Sequence, residues 1–186
     1  MTDPTANDVG RPCDSGADDV ARWCDYCAQL LQATRAFLLG ISDKTFSDRP
    51  RGAERAGVGT HVRHVLDAYA SLLDGAETGS VDYDRRARPA RIERDRERAI
   101  AAIGTLIERL RKEVSERGDR QLSVRCDEPA PGTAGAASSL ARELRFVASH
   151  TVHHQALIGE LMREMGHPPP EDFGVARSTL RYRASG

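Results

Sequence analysis

Apolar residues recur by threes and fours through four long stretches of this chain. That spacing places them on one face of an α-helix. In residues 18–39 the repeating positions are Val20, Trp23, Cys24, Cys27, Leu30, Leu31, Phe37 and Leu38. In 59–74, with Val58 leading in, they are Val62, Val65, Leu66, Tyr69, Leu72 and Leu73. The cleanest period lies in 92–116, through Ala99, Ile100, Ile103, Leu106, Ile107, Leu110 and Val114. The fourth stretch covers 140–165, with Ser139 placed to cap its start and Gly166 its end. Gly40, Gly75 and Gly118 read as stops for the other three. Four amphipathic helices with no convincing sheet predict an all-α fold, a four-helix bundle.

The segments between the helices read as polar connections. Only QLSVRC, at 121–126, shows a short strand-like alternation. Residues 1–17 are small, polar and broken by Pro and Gly, which predicts disorder. The domain is then 18–166. Residues 167–186 form a tail with enough apolar groups to dock on the body.

Composition narrows the function. Aromatics make up 5% of the 186 residues against 39% hydrophobic, so the core must be built from Leu, Val, Ile and Ala. Lys+Arg is 27 and Asp+Glu is 28, a balance that argues against a broadly basic nucleic-acid binder. The arginine run from Arg85 to Arg98 is interleaved with Glu93, Asp95 and Glu97 and lacks aromatics to stack bases, so it reads as a solvated helix start. No stretch approaches the ~20 apolar residues of a membrane span. The first residues carry no charged-then-apolar leader pattern, and a cytoplasmic location is the expectation. Four cysteines, Cys13, Cys24, Cys27 and Cys126, are too few to staple the chain. Cys24 and Cys27 have C-x-x-C spacing but lie on a helix, outside the strand-to-helix turn a redox motif needs. They read as core.

Five of the six histidines fall in two runs: His61 and His64 in GTHVRHVLDAY, and His150, His153 and His154 in SHTVHHQAL. On a helix, i and i+4 share a face about 5–6 Å apart. His150 and His154 are such a pair, set on the inward stripe with Leu144, Val147, Thr151, Ile158 and Leu161, while His153 points away. Burying two imidazoles is costly unless both are hydrogen-bonded or bound. A divalent metal resolves that cost, because neutral imidazole is a good ligand. Two ligands are too few for a tight site, so the third must come from another helix, where His61 and His64 both stand. Three histidines leave a coordination position open, the layout of a catalytic site. Asp67, three residues after His64, is placed to orient a ligand imidazole or to cap a local network. Glu143 shares the His150 face and could reach the site mouth as a base, but a surface role is expected of it.

His64-Val65-Leu66-Asp67, followed in the last long helix by His150-x-x-x-His154 within HTVHHQALI, resembles the two ligand motifs of the DinB/YfiT-like superfamily. The resemblance covers about residues 18–166 and includes the helix order and the closing Gly166. It implies a four-helix bundle with a three-histidine divalent metal site, often in a homodimer. It selects His64, His150 and His154 as ligands and leaves His61 and His153 as neighbours. Members with assigned activities include thiol S-transferases, which join a small thiol to an electrophile, and thiol-using isomerases. His154 is followed here by Gln155-Ala156-Leu157, where many members carry Arg-Gly-Gln.

The expectation is therefore a metal-dependent enzyme that activates a small thiol, or water, against an electrophilic small molecule. Zinc, nickel, iron and manganese all suit three imidazoles, and no nucleic-acid or membrane partner is expected. The alternative is a metal-binding protein without turnover, for sensing or for structure.

Overall fold

The computed structural model describes residues 16–48, 56–84, 91–125 and 135–185. The expected disorder of the N-terminal segment, and the positions Cys13, Cys126, Arg85, Arg86 and Arg88, lie outside the described residues, apart from 16 and 17, which begin the first helix.

Among the described residues the chain is mostly helical, with six α-helices and one small sheet. Four helices are long: α1 (Gly16–Leu39), α3 (Val58–Thr78), α4 (Arg96–Arg109) and α5 (Leu140–Glu164). Two are short: α2 (Asp43–Ser47) and α6 (Arg177–Ala184). α5 packs against α1 and α3, and α4 packs against the same two. Each long helix thus turns its apolar stripe inward. Leu31 of α1, Tyr69 and Leu72 of α3, Ile103 of α4 and Leu144 and Ile158 of α5 are all completely or almost completely buried.

Helix ends follow local chemistry. The stretch predicted as one helix from 92 begins instead as a 3-10 turn, Ile92–Arg94, and α4 proper starts after Asp95. The Asp95 carboxylate accepts from the Arg98 amide at 3.0 Å, and this cap resets the helix start. Beyond Arg109 the helix widens into a π turn, Leu110–Val114, that keeps both Leu110 and Val114 buried. Ser139 caps α5 as expected, accepting from the Arg142 amide, and Gly166 closes it at φ +80°.

Gly75 does not stop its helix. α3 runs on to Thr78 and ends at Gly79, whose φ of +81° is the left-handed cap. At Gly75 a Cβ would stand 2.7 Å from the Ser80 carbonyl oxygen, so the glycine admits the returning chain against the helix.

The expectation of no sheet is also corrected. β1 (Ser80–Asp82), β2 (Gln121–Arg125) and β3 (Ala136–Ser139) form one sheet in that order. β1 runs parallel to β2, with Val81 opposite Val124; β3 runs antiparallel, with Ser138 opposite Leu122. The alternation read in QLSVRC is the burial of Leu122 and Val124 on one face. β1 and β3 are three and four residues long, too short to show a period.

The tail docks, as its apolar residues suggest. Phe173 is buried, with its ring 5.0 Å from that of Phe37 on α1. Gly174, at φ +77°, passes so close to the α5 backbone at Ala156 that no Cβ fits. Among the described residues, no helix is long and apolar enough to cross a membrane.

Candidate metal centre

The packing of α3 on α5 brings the two histidine runs together. Below them, the Thr151 hydroxyl donates to the Val147 carbonyl at 2.6 Å and lies 3.2 Å from the hydroxyl of Tyr69. Both residues are fully buried, so the contact fixes how α3 and α5 slide on each other. On the other side of α5, Gln155 donates to the Leu30 carbonyl at 2.9 Å and to Thr34 Oγ1 at 3.0 Å. The residue that departs from the common family motif therefore ties α5 to α1.

This framework sets His64, on α3, against His150 and His154, one turn apart on α5. All three are half-buried. The ring centroids are 4.8 Å apart for His64–His150, 4.7 Å for His64–His154 and 4.5 Å for His150–His154. One nitrogen from each ring lies within 4.8 Å of the other two, so the group could hold a metal ion. Nitrogens bound tetrahedrally at about 2.0–2.1 Å stand roughly 3.4 Å apart, and small ring rotations span the difference.

His61 stands in direct contact with this group. Its Nδ1 lies 3.0 Å from Nδ1 of His154. With His154 Nδ1 as the donor and His61 Nδ1 as the acceptor, Nε2 of His154 keeps the lone pair that a metal needs. His153 is exposed and points away, as its position on the wheel predicts.

Electrostatics suit ligation. Burial, followed by the neighbouring His150, His64, His61 and His153, pushes the His154 imidazole down to about 3. His61 is lowered too, first by burial and then by His153. His154 is therefore neutral at physiological pH, the form that binds metals.

Asp67 is buried, and its carboxylate lies 3.6 Å from Arg63, which in turn reaches Glu93 at 3.1 Å. Glu143 is not on the surface. It is fully buried and accepts from the Tyr83 hydroxyl at 2.9 Å, Ser138 Oγ at 2.5 Å and Arg142 at 2.6 Å. The helix wheel alone could not reveal this, because the burying groups come from β1 and β3 and the residues beside them. Tyr83 also packs on Phe146, 5.3 Å between ring centres, and Phe146 stacks on His150 at 5.8 Å and 20°. Phe146 sits four residues before His150, a helical spacing that could have flagged it.

Cys24 and Cys27 are buried and unbridged, and burial pushes both thiols up to about 12. Cys27 donates to the Leu144 carbonyl at 3.5 Å. The pair belongs to the core, as read from the sequence. The described part of the arginine run makes local ion pairs, Arg98 to Asp95 at 2.8 Å and Arg96 to Glu97 at 2.9 Å, and Arg96 also reaches Asp43 of α2 at 2.6 Å.

A mostly helical chain that gathers three imidazoles from two helices, close enough together to hold a metal ion, defines a class: helical proteins with a candidate three-histidine site. The DinB superfamily pattern matches residues 26–158, and the chain belongs to that superfamily. It is also 33% identical over 106 residues to FK506-binding protein 5 of Rhizopus delemar. That match spans 55% of this chain and only 27% of the fungal protein, and its name is carried no further.

Proposed function

We propose that His64, His150 and His154 hold a divalent metal ion at one end of a four-helix bundle, and that the chain is a metal-dependent enzyme of small molecules. The observation that carries this reading is the convergence of three imidazole nitrogens, all within 4.8 Å, from two separate helices. Three ligands leave a coordination position for a substrate.

A divalent ion held by His64, His150 and His154 would supply Lewis acidity, lowering the pKa of a thiol or water towards neutral pH. The rest is done by the chain. By accepting a hydrogen bond from Nδ1 of His154, His61 holds that ring in the tautomer whose Nε2 faces the ion. Asp67, one turn on from His64, is the candidate for the same service to that ring. Phe146, stacked on His150 and partly exposed, offers an apolar wall beside the site. The attacked partner is a small electrophile, and thiol transfer is the reaction class the family resemblance supports. A homodimer and a cytoplasmic location belong to the same proposal and rest on that resemblance and on the sequence.

The test is elemental analysis of untagged protein purified without chelator, beside the His150→Ala/His154→Ala variant. Near-stoichiometric zinc, nickel, iron or manganese in the parent and none in the variant is the expected result. Chelator should then lower the parent's Tm, because a ligand bound only to the folded state stabilises it. Metal in neither protein after reconstitution would sink the reading. Metal without turnover, across thiols and electrophiles, would leave a sensing or structural site.

A further inference from the structure

A cavity lies on the side of α5 away from the histidine group. At ~100° per residue, Arg145, Ala148, Ser149 and Val152 face away from His150 and His154. Together with the first half of α1 and the start of α6 they enclose about 490 Å³. That is within the usual range of roughly 300–1,000 Å³ for small-molecule sites.

The lining has two characters. Trp23 and Tyr26 meet edge to face, 5.8 Å between ring centres, and form the aromatic floor. Over it stand guanidinium groups: Arg145 5.3 Å above the Trp23 ring and Arg177 4.8 Å above the Tyr26 ring. Arg22 and Arg181 complete a set of four arginines, against a single carboxylate, Asp19. Asp19 is already engaged, by Arg145 at 2.7 Å and by Arg22 at 3.6 Å. Arg177 and Arg181 have no carboxylate partner among the described residues. The cleft therefore carries surplus positive charge beside flat aromatic surface, with the hydroxyls of Ser149 and Ser178 on its wall.

We propose that this cleft binds a small organic anion, a phosphate or carboxylate attached to an aromatic or apolar body. Planar guanidinium forks match such oxyanions two bonds at a time. The parts of Trp23 and Tyr26 that line the cleft beside those guanidiniums offer the apolar body a contact surface. The cleft is separate from the histidine site and does not depend on a metal being there.

Trp23 is the single tryptophan of the chain, so its emission reports the cleft directly. The experiment titrates the full chain with phenyl phosphate, with benzyl alcohol as the uncharged control. It is run on protein stripped of metal and dialysed, and again on metal-loaded protein. The expected result is a saturable change with phenyl phosphate, the same in both preparations, and none with benzyl alcohol. Arg181→Gln, at an exposed position, should weaken binding roughly tenfold, and Arg177→Gln/Arg181→Gln further. Circular dichroism and Tm check that both variants are folded. The proposal is overturned by no saturable change, by an equal response to benzyl alcohol, or by unchanged binding in the arginine variants. It is equally overturned by an emission change that tracks a doubling of mass. A response seen only with metal present would assign the anion to the histidine site instead.

Discussion

Cys24 with Cys27 and His150 with His154 invite comparison. Each is a pair of metal-capable side chains on one long helix, spaced to lie near the same face. The structure gives them opposite fates. The cysteines sink into the core, where burial holds both thiols protonated and Cys27 donates to a backbone carbonyl. The histidines meet a third imidazole, His64, from α3, and a fourth, His61, that hydrogen-bonds one of them. Spacing on one helix is therefore not what makes a site. Convergence from a second helix is, because only it supplies the further ligands and the hydrogen bonds that orient them.

The largest test of that contrast removes each pair in turn. His150→Ala/His154→Ala is expected to abolish bound metal, whereas Cys24→Ser/Cys27→Ala should leave metal content unchanged, both read by elemental analysis. Metal loss in the cysteine variant would erase the distinction.

The next effect isolates the fourth imidazole. His61→Ala should still bind metal, with affinity reduced roughly 10–100-fold, as is usual when an orienting partner is removed. Competition against a chromogenic chelator measures it, and unaltered affinity would reduce His61 to a bystander.

Stability should sharpen the other half of the comparison. Cys27→Ala removes a fully buried sulfur and is expected to cost roughly 1–2 kcal/mol in denaturant unfolding. With Cys13 and Cys126 replaced by Ser, a thiol reagent should find no fast-reacting group in the native protein. Fast modification there would show the pair to be accessible.

The smallest effect is one of pH. In metal-free protein the folded His154 sits near 3, below its ordinary 6.5, so the unfolded chain takes up that proton first. Stability is then full above about 6.5 and falls as the pH drops towards 3. A Tm series should show this slope, and His154→Ala should flatten it. Parallel profiles would mean the ring is not held neutral by its surroundings.

The four long helices and their apolar faces were legible in the sequence, because a 3.6-residue period sustained over several turns has few other readings. The histidine pair on α5 was legible for the same reason, and so was the core placement of Tyr69. Gly75 misled, since a glycine admitting a close backbone looks like a helix stop until the returning strand is seen. Asp95 showed itself only as one acid among many, although its carboxylate starts α4.

What the sequence determined alone is what local periodicity encodes: helix type, inward faces, caps at Ser139 and Gly166, and two histidine runs of ligand spacing. What only the tertiary structure decided depends on groups far apart in the chain. β1 and β3 are too short to carry a pattern and exist because β2 pairs with both. Glu143 is buried because Tyr83 and Ser138 reach it. The choice between His61 and His64 was likewise open from the residues alone. The packing of α3 on α5 separates them: His64 joins the three-ring group, and His61 grips His154 from the side. A wheel records direction around one axis, while a binding site is set by the distance between two.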